Sequence, residues 1–259
     1  MGVSDFQKYI EDNCKDACKP VDLIKQARGM ALSQAGKRKG LDRLCLVLDA
    51  ESCLFRLYGG YYSDWACGGQ WNRMNQFLST FIETCMASHM ELLVCFNGAS
   101  ESSRLLEWFH RQQAVRRNAS SVTKHIANKS TPPPKIWWIA PVTLRSCLRV
   151  ALRQYGVPIL VTLEDHHQEV LAFCREQGYH GIIADEADYC IFDPPRYFSS
   201  QHLKLTYKGA LETKEFVLDE VAKKLDLNPK RFAVLAALLG KPNFKANRLI
   251  CFVDLLTFE

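Results

Sequence analysis

Short apolar runs of strand length alternate along this chain with segments whose apolar residues recur at helical spacing. The strand-length runs are 44–48 (LCLVL), 92–96 (LLVCF), 136–139 (IWWI), 157–161 (VPILV) and 181–184 (GIIA). Continuous apolar runs of this kind indicate strands covered on both faces, as in a parallel sheet. The helical segments between them are 71–86, 142–154 and 167–177. The alternation predicts an α/β fold, with a mostly parallel central sheet and helices on both faces.

Composition agrees with a folded domain. The chain has 259 residues, of which 47% are hydrophobic and 24% charged, and these values exclude a disordered or fibrous chain. No apolar run reaches the roughly 18 residues of a membrane span, and Met1 is not followed by an apolar leader, so we expect an intracellular protein. Several of the 11 cysteines lie inside apolar runs, and most of the cysteines are interpreted as buried thiols.

Polar residues follow four of the apolar runs, at the points where the predicted strands end. They are Asp49, Asn97, the pair Glu164 and Asp165, and the group Asp185, Glu186 and Asp188. In a parallel sheet these side chains meet at the carboxyl edge. A polar turn explains any one of them, but four together favour an acidic cluster that would need Mg²⁺ or Mn²⁺ to offset its repulsion. Such clusters are typical of metal-dependent nucleases.

A basic segment lies at 101–129, where six Lys or Arg residues stand against two Glu. The basic residues are Arg104, Arg111, Arg116, Arg117, Lys124 and Lys129. Trp108, Phe109 and two histidines are interleaved with them, and a second basic loop contains Lys37, Arg38 and Lys39. Basic groups neutralise phosphates and aromatic rings stack on unpaired bases. Two interpretations stay open for 101–129: a nucleic-acid-binding arm, or a solvated helix whose Trp108 packs inward.

Several longer motifs resemble known families. VLDAESCL at 47–54, CFNGAS at 95–100 and ADEADYCIFD at 184–193 resemble the flap endonuclease and XPG-like nuclease superfamily, which implies a PIN-like fold. LYGGYYSDWACGGQWN at 57–72, NKSTPPPKIWW at 128–138, LEDHHQEVLAFCREQGYHG at 163–181 and KKLDLNPKRFAVLAALLG at 223–240 more closely resemble the constitutive coactivator of PPAR-gamma-like family. The resemblance covers 1–240 and implies one N-terminal domain of a longer protein, with a basic arm at about 101–134. We expect 241–259 to be a divergent or truncated tail.

The resemblance also implies a site, carried over residue by residue. Asp49 matches the first-strand aspartate, Asn97 stands where active nucleases have an aspartate, Asp165 and His167 fall on a Glu-x-Glu pair, and Glu186 and Asp188 fall on an Asp-x-Asp pair. Lys241 and Pro242 stand where active enzymes carry a further aspartate. The remaining acids, Asp49, Asp165, Glu186 and Asp188, are the candidate ligands of one Mg²⁺ or Mn²⁺ ion at most, and they make a poor two-metal site.

The register around 165–169 leaves His166, Gln168 and Glu169 as alternatives. Adjacent helical positions point about 100° apart, so the two histidines do not face one ion. We therefore expect His167 to line the site and His166 to face elsewhere.

These departures favour an RNA-binding pseudo-nuclease domain with a degenerate site and no required cofactor. The resemblance implies scaffold or coregulator roles in the cytoplasm and nucleus, with single-stranded or structured RNA and with protein partners in signalling or transcription complexes. Two alternatives stay open. One is an active, Mg²⁺- or Mn²⁺-dependent, structure-specific nuclease. The other is a nuclear-receptor coactivator module, because Leu235-Ala-Ala-Leu-Leu239 has LxxLL spacing, although its periodicity also fits a buried helix.

Overall fold

The computed structural model describes residues 4–34, 43–60, 65–66, 68–98, 105–129, 131–192, 194–232 and 234–235. Within these ranges the α-helices are α1 (Ser4–Asn13), α2 (Leu23–Gln34), α3 (Ala50–Leu57), α4 (Trp71–Ala87), α5 (Leu105–Asn128), α6 (Leu144–Gln154), α7 (His166–Glu176), α8 (Asp188–Ile191) and α9 (Leu218–Leu225). The strands are β1 (Cys18–Asp22), β2 (Leu44–Asp49), β3 (Met90–Asn97), β4 (Ile159–Thr162), β5 (Gly181–Ala184), β6 (Tyr197–Ser199), β7 (Lys204–Leu205) and β8 (Leu211–Phe216). Short 3-10 helices occupy Lys15–Ala17, Lys135–Trp137 and Pro229–Arg231.

The strands of the described chain form one mixed sheet in the order β1-β8-β6-β5-β2-β3-β4, with β7 paired to β8. The five neighbours from β6 to β4 are parallel to one another, whereas β8 is antiparallel to β1, β6 and β7. The parallel strands are joined through helices, which a parallel connection requires. The predicted mostly parallel sheet is therefore confirmed, and β2 is the middle one of its five parallel strands.

Side chains that alternate along β2 enter two separate cores. Leu46 and Leu48 pack into one apolar cluster together with residues of α2, α3, α4 and α6. Val47 points to the other face, where it joins a cluster built by α1, α7 and α9. Successive strand residues face opposite sides of a sheet, so a strand that is apolar throughout needs helices on both sides. This confirms the prediction that helices cover both faces.

The prediction of a strand at 136–139 is wrong. The segment forms the 3-10 turn Lys135–Trp137 instead, and the next strand along the chain is β4. Three prolines at 132–134 precede it, and Pro134 enters the turn at φ −54°. Proline fixes φ and removes a backbone donor, which disfavours a paired strand. Trp137 and Trp138 therefore pack beside the first core rather than on the sheet, with Trp138 edge-on to Phe55 at 5.4 Å.

The cysteines of the described chain are free thiols, most of them buried. Burial raises the pKa of Cys85 to about 12. The pKa of Cys174 is also raised to about 12, because burial raises it more than the charge of Arg175 lowers it. Thiols with such a raised pKa are weak nucleophiles and poor metal ligands. Among the described helices, none has both the length and the apolar content of a membrane span.

Candidate functional site

The site lies at the carboxyl edge of the parallel strands, where Asp49 ends β2. Asp49 is fully buried and is also the N-cap of α3, because its Oδ1 accepts a hydrogen bond from the backbone N of Glu51 at 2.9 Å. Aspartate is favoured at an N-cap since its carboxylate satisfies a free helix N–H. The strand end and the helix start thus fix this carboxylate in the interior.

Both oxygens of Asp49 are engaged by side chains of neighbouring elements. Nε2 of His166, the first residue of α7, lies 2.9 Å from Oδ1, and the hydroxyl of Tyr189 in α8 donates to Oδ2 at 3.2 Å. His166 is itself held at Nδ1 by the Thr162 hydroxyl, 2.9 Å away at the end of β4. Burial raises the pKa of Asp49, but the hydrogen bond and charge of His166, together with the charge of His167 and the backbone N–H of Glu51, outweigh it, so the net pKa is lowered.

A second histidine–carboxylate pair lies beside the first. Nδ1 of His167 is 2.8 Å from Oδ2 of Asp188, and the rings of His166 and His167 are 5.5 Å apart. Burial lowers the pKa of His167, but the hydrogen bond to Asp188 and the negative charges of Asp49 and Glu186 outweigh it, so the net pKa is raised. The two pairs are therefore coupled electrostatically.

The expectation that His166 faces away from the site is wrong. The two imidazoles do diverge, as neighbouring helical positions must, but each reaches a different carboxylate. Asp49 ends β2 and Asp188 begins α8. The first two residues of α7 therefore contact two carboxylates that belong to different elements. Thr162 and Tyr189 are not predicted as site residues, and His166 is predicted only as an alternative in the register at 165–169. The sequence signals for His166 and Tyr189 are the adjacent His-His pair four residues after the end of β4 and the tyrosine next to Asp188.

Glu186 belongs to the same cluster, whereas Asp165 and Asn97 stand at its margin. Burial raises the pKa of Glu186, the charge of His167 lowers it, and Asp49 and Asp188 raise it further. Asp165 caps α7, because its Oδ1 accepts from the backbone N of Gln168 at 3.1 Å. Asn97 is the exposed last residue of β3. The roles predicted for Asp165 and Asn97 as vestigial site residues stay predictions.

The carboxylates as arranged do not fit a divalent cation. Asp49 is satisfied by His166, Tyr189 and Glu51, and Asp188 by His167. In the ranges that the structure describes, His, Cys, Asp and Glu side chains form no group of three or more that could hold a metal. In this domain two imidazoles, rather than cations, lie against Asp49 and Asp188. The Mg²⁺ or Mn²⁺ ion itself stays a prediction.

The basic segment forms α5, a helix of 24 residues. Its basic side chains are exposed, and they are Arg111, Arg116, Arg117 and Lys124, with Lys129 just after the helix end. The charge of Arg111 lowers the pKa of Glu186, although burial raises that pKa more strongly. Trp108 is 47% exposed, which contradicts the alternative in which it packs inward. Arg104, the loop Lys37, Arg38 and Lys39, and most of 235–239 lie outside the described residues.

The chain has relatives that match it along its whole length. It is 47% identical over 260 residues to the constitutive coactivator of PPAR-gamma-like protein 1 homolog of Xenopus tropicalis, covering 100% of this chain and 24% of that protein. The human constitutive coactivator of PPAR-gamma-like protein 1 is 46% identical, with 100% and 23% covered. The chain belongs to the constitutive coactivator of PPAR-gamma-like family. It spans about a quarter of the length of these family members. No protein-family model matches it.

Solved structures of similar fold identify the fold of this domain. The catalytic core of Rad2 in complex with DNA substrate gives a TM-score of 0.60 at 14% identity, covering 95% of this chain and 67% of that one. The Holliday junction-resolving enzyme GEN1 in complex with product DNA, Mg²⁺ and Mn²⁺ ions gives 0.57 at 13% identity, covering 92% and 48%. The family domain has the PIN-like fold of these enzymes. At such low identity the likeness concerns the fold alone.

Proposed function

We propose that this domain binds RNA, does not cleave it, and acts as a scaffold or coregulator module of a longer protein. The observation that carries the proposal is the pairing of Asp49 with His166 and of Asp188 with His167. Phosphodiester cleavage of the two-metal type needs carboxylates that are open to cations. Here the same carboxylates are hydrogen-bonded within the protein, so the site is built for structure rather than for hydrolysis.

The exposed basic residues of α5 support RNA binding. Lysine and arginine bind nucleic acid by neutralising phosphates and releasing counterions, and Trp108 and Phe109, each about half exposed, offer rings for unpaired bases. The Rad2 and GEN1 structures of similar fold contain DNA, and the relatives are named coactivators. We propose the cytoplasm and nucleus as its location, with partners in signalling or transcription complexes.

Charge reversal on α5 tests RNA binding. Fluorescence anisotropy with labelled single-stranded and hairpin RNA, over a salt series, compares the wild type with Arg117→Glu/Lys124→Glu. We expect about tenfold weaker binding and a salt dependence reduced by about one unit per lost phosphate contact. The control is Lys204→Glu/Lys208→Glu, which makes the same charge change at exposed positions near β7. Equal losses in both variants would mean that α5 is not the RNA surface.

An active nuclease is the second candidate, because Asp49 ends β2 and Glu186 and Asp188 follow β5, its parallel neighbour, at the same edge of the sheet. Labelled flap, hairpin and single-stranded substrates incubated with Mg²⁺ or Mn²⁺ decide between the two. We expect no cleavage above that of Asp49→Asn/Asp188→Asn. Turnover that disappears in this double variant would establish a nuclease and overturn the pseudo-nuclease proposal, whatever the outcome of the RNA-binding measurement.

A further inference from the structure

Helix α5 carries an apolar stripe with the spacing of a coiled coil. Seven positions follow one another at alternating steps of three and four residues, and all but one are apolar: Leu105, Trp108, Gln112, Val115, Ala119, Val122 and Ile126. We call these seven positions the α5 seam. A 3-4 repeat sustained over three heptads is the pattern by which one helix packs along another. A solvated helix that only carries charge does not need it.

The seam is mostly exposed and is attached to the domain at Val122, since Ile126 beyond it is 44% exposed. Val122 belongs to the first core, and nearby His125 lies 5.8 Å from the ring of Trp137 and 3.0 Å from the carbonyl of Thr131. Toward the helix start, Leu105 is 59% exposed, Trp108 47% and Val115 41%. Val122 and His125 thus hold α5 on the domain, while about 15 Å of seam between Leu105 and Val115, at about 1.5 Å per residue, presents apolar side chains to solvent.

The charges beside the seam determine which helix it fits. In the heptad that places Gln112 at an a position, Arg111 occupies g and Arg116 occupies e, one on each flank. In a parallel pair of two copies of α5, Arg111 would meet Arg116 of the other copy. In an antiparallel pair each arginine would meet the same arginine of the other copy. Both arrangements bring cations together, which disfavours a second copy of this chain. Glutamate or aspartate at the partner's e and g positions would instead form attractive pairs.

We propose that the α5 seam binds an acidic amphipathic helix of another protein, with apolar residues at its a and d positions and carboxylates at e and g. Gln112 sets the register, since one polar side chain in a seam favours a partner that pairs with it. The seam shares Trp108 and the flanking Arg111 and Arg116 with the residues used above for RNA, but it faces away from Arg117 and Lys124, which the RNA-binding test changes. Lys124 lies about 180° around the helix from Val115, and Arg117 about 200°.

Two synthetic helices test the proposal on the intact domain. Both are fluorescein-labelled peptides of about three heptads with isoleucine at a and leucine at d; one has glutamate at e and g, and the other has lysine. We expect the glutamate peptide to bind at least about tenfold more tightly than the lysine peptide. Arg111→Glu/Arg116→Glu should reverse this order, and Trp108→Ser/Val115→Ser should weaken both peptides. These positions are exposed, and unchanged thermal unfolding of each variant checks that it is folded.

Several results would overturn the proposal. The proposal is wrong if Trp108→Ser/Val115→Ser binds the glutamate peptide as tightly as the wild type does. It is also wrong if neither peptide binds the wild type at concentrations up to about 100 μM. Dimerisation in sedimentation that Trp108→Ser/Val115→Ser abolishes would assign the seam to a second copy. Loss of RNA binding in that variant, without peptide binding, would assign it to nucleic acid. Arg117→Glu/Lys124→Glu should leave peptide binding unchanged, because both residues face away from the seam. A failure of the RNA proposal is therefore distinguishable from a failure of the peptide proposal.

Discussion

Nε2 of His166 lies 2.9 Å from Oδ1 of Asp49, a carboxylate with no exposed surface. The contact joins the end of the central strand β2 to the first residue of α7. It links two elements that are far apart in sequence through a polar bond inside an apolar environment. Such bonds are costly to break from one side, because the group that remains has lost its partner and has no water.

His166→Ala should destabilise the domain by about 3–5 kcal/mol, because it leaves the Asp49 carboxylate buried and without its main partner. Urea unfolding measures the free energy. Asp49→Asn preserves the N-cap of α3, since asparagine caps as well as aspartate. The double variant Asp49→Asn/His166→Ala should therefore cost less than the sum of the single variants, and strict additivity would mean that the two residues do not interact.

Tyr189→Phe should cost about 1–3 kcal/mol, because it removes the hydroxyl that donates to Oδ2 of Asp49 and leaves that oxygen unsatisfied in the interior. The same urea experiment measures it. Tyr207 is exposed, so Tyr207→Phe is the matched control and should change the free energy of unfolding by less than about 0.5 kcal/mol. Indistinguishable effects of the two variants would contradict the described hydrogen bond.

Divalent cations should not stabilise the wild-type domain. A ligand that binds only the folded state raises its stability in proportion to RT ln(1 + [L]/Kd), and the paired carboxylates offer it no open ligand set. Thermal unfolding in EDTA, Mg²⁺ and Mn²⁺ should give the same midpoint. His167→Glu removes the partner of Asp188 and adds a carboxylate, so Mn²⁺ should raise the midpoint of that variant. An Mn²⁺-dependent rise in the wild type would contradict the proposed role of the histidines.

The His167–Asp188 pair gives stability a definite pH dependence. The pKa of His167 is raised in the folded domain, since Asp188, Asp49 and Glu186 together outweigh burial. Its contribution is therefore complete below the unfolded-state pKa of about 6.5 and is lost as the pH rises through the higher folded-state pKa. Urea unfolding between about pH 6 and 9 should show this decline. His167→Gln should flatten it, while His110→Gln, at an exposed position, should leave it intact.

The sequence predicts the architecture because its strongest pattern is local. The apolar runs of β2, β3 and β5 and the polar residues after them are visible without any tertiary information. The wrong strand at 136–139 shows the limit: four apolar residues resemble a strand, yet the three prolines before them favour a turn.

The role of His166 was not predictable for a different reason. Sequence spacing gives the angle between His166 and His167, but it does not say which carboxylate each ring reaches. That depends on how α7 packs over β2 and α8, which is a tertiary property. The exposure of Trp108 is tertiary as well, since α5 enters a core at Val122 and not at Trp108.

Asp49 ends a strand, caps a helix and pairs with a buried histidine. Each of these three structural roles alone favours an aspartate at this position, and none of them involves catalysis of hydrolysis. Counting retained acidic residues would therefore overstate the catalytic capacity of any domain built this way. The more informative question for such a domain is which residue faces each acid, because a histidine there turns an apparent enzymatic signature into a structural one.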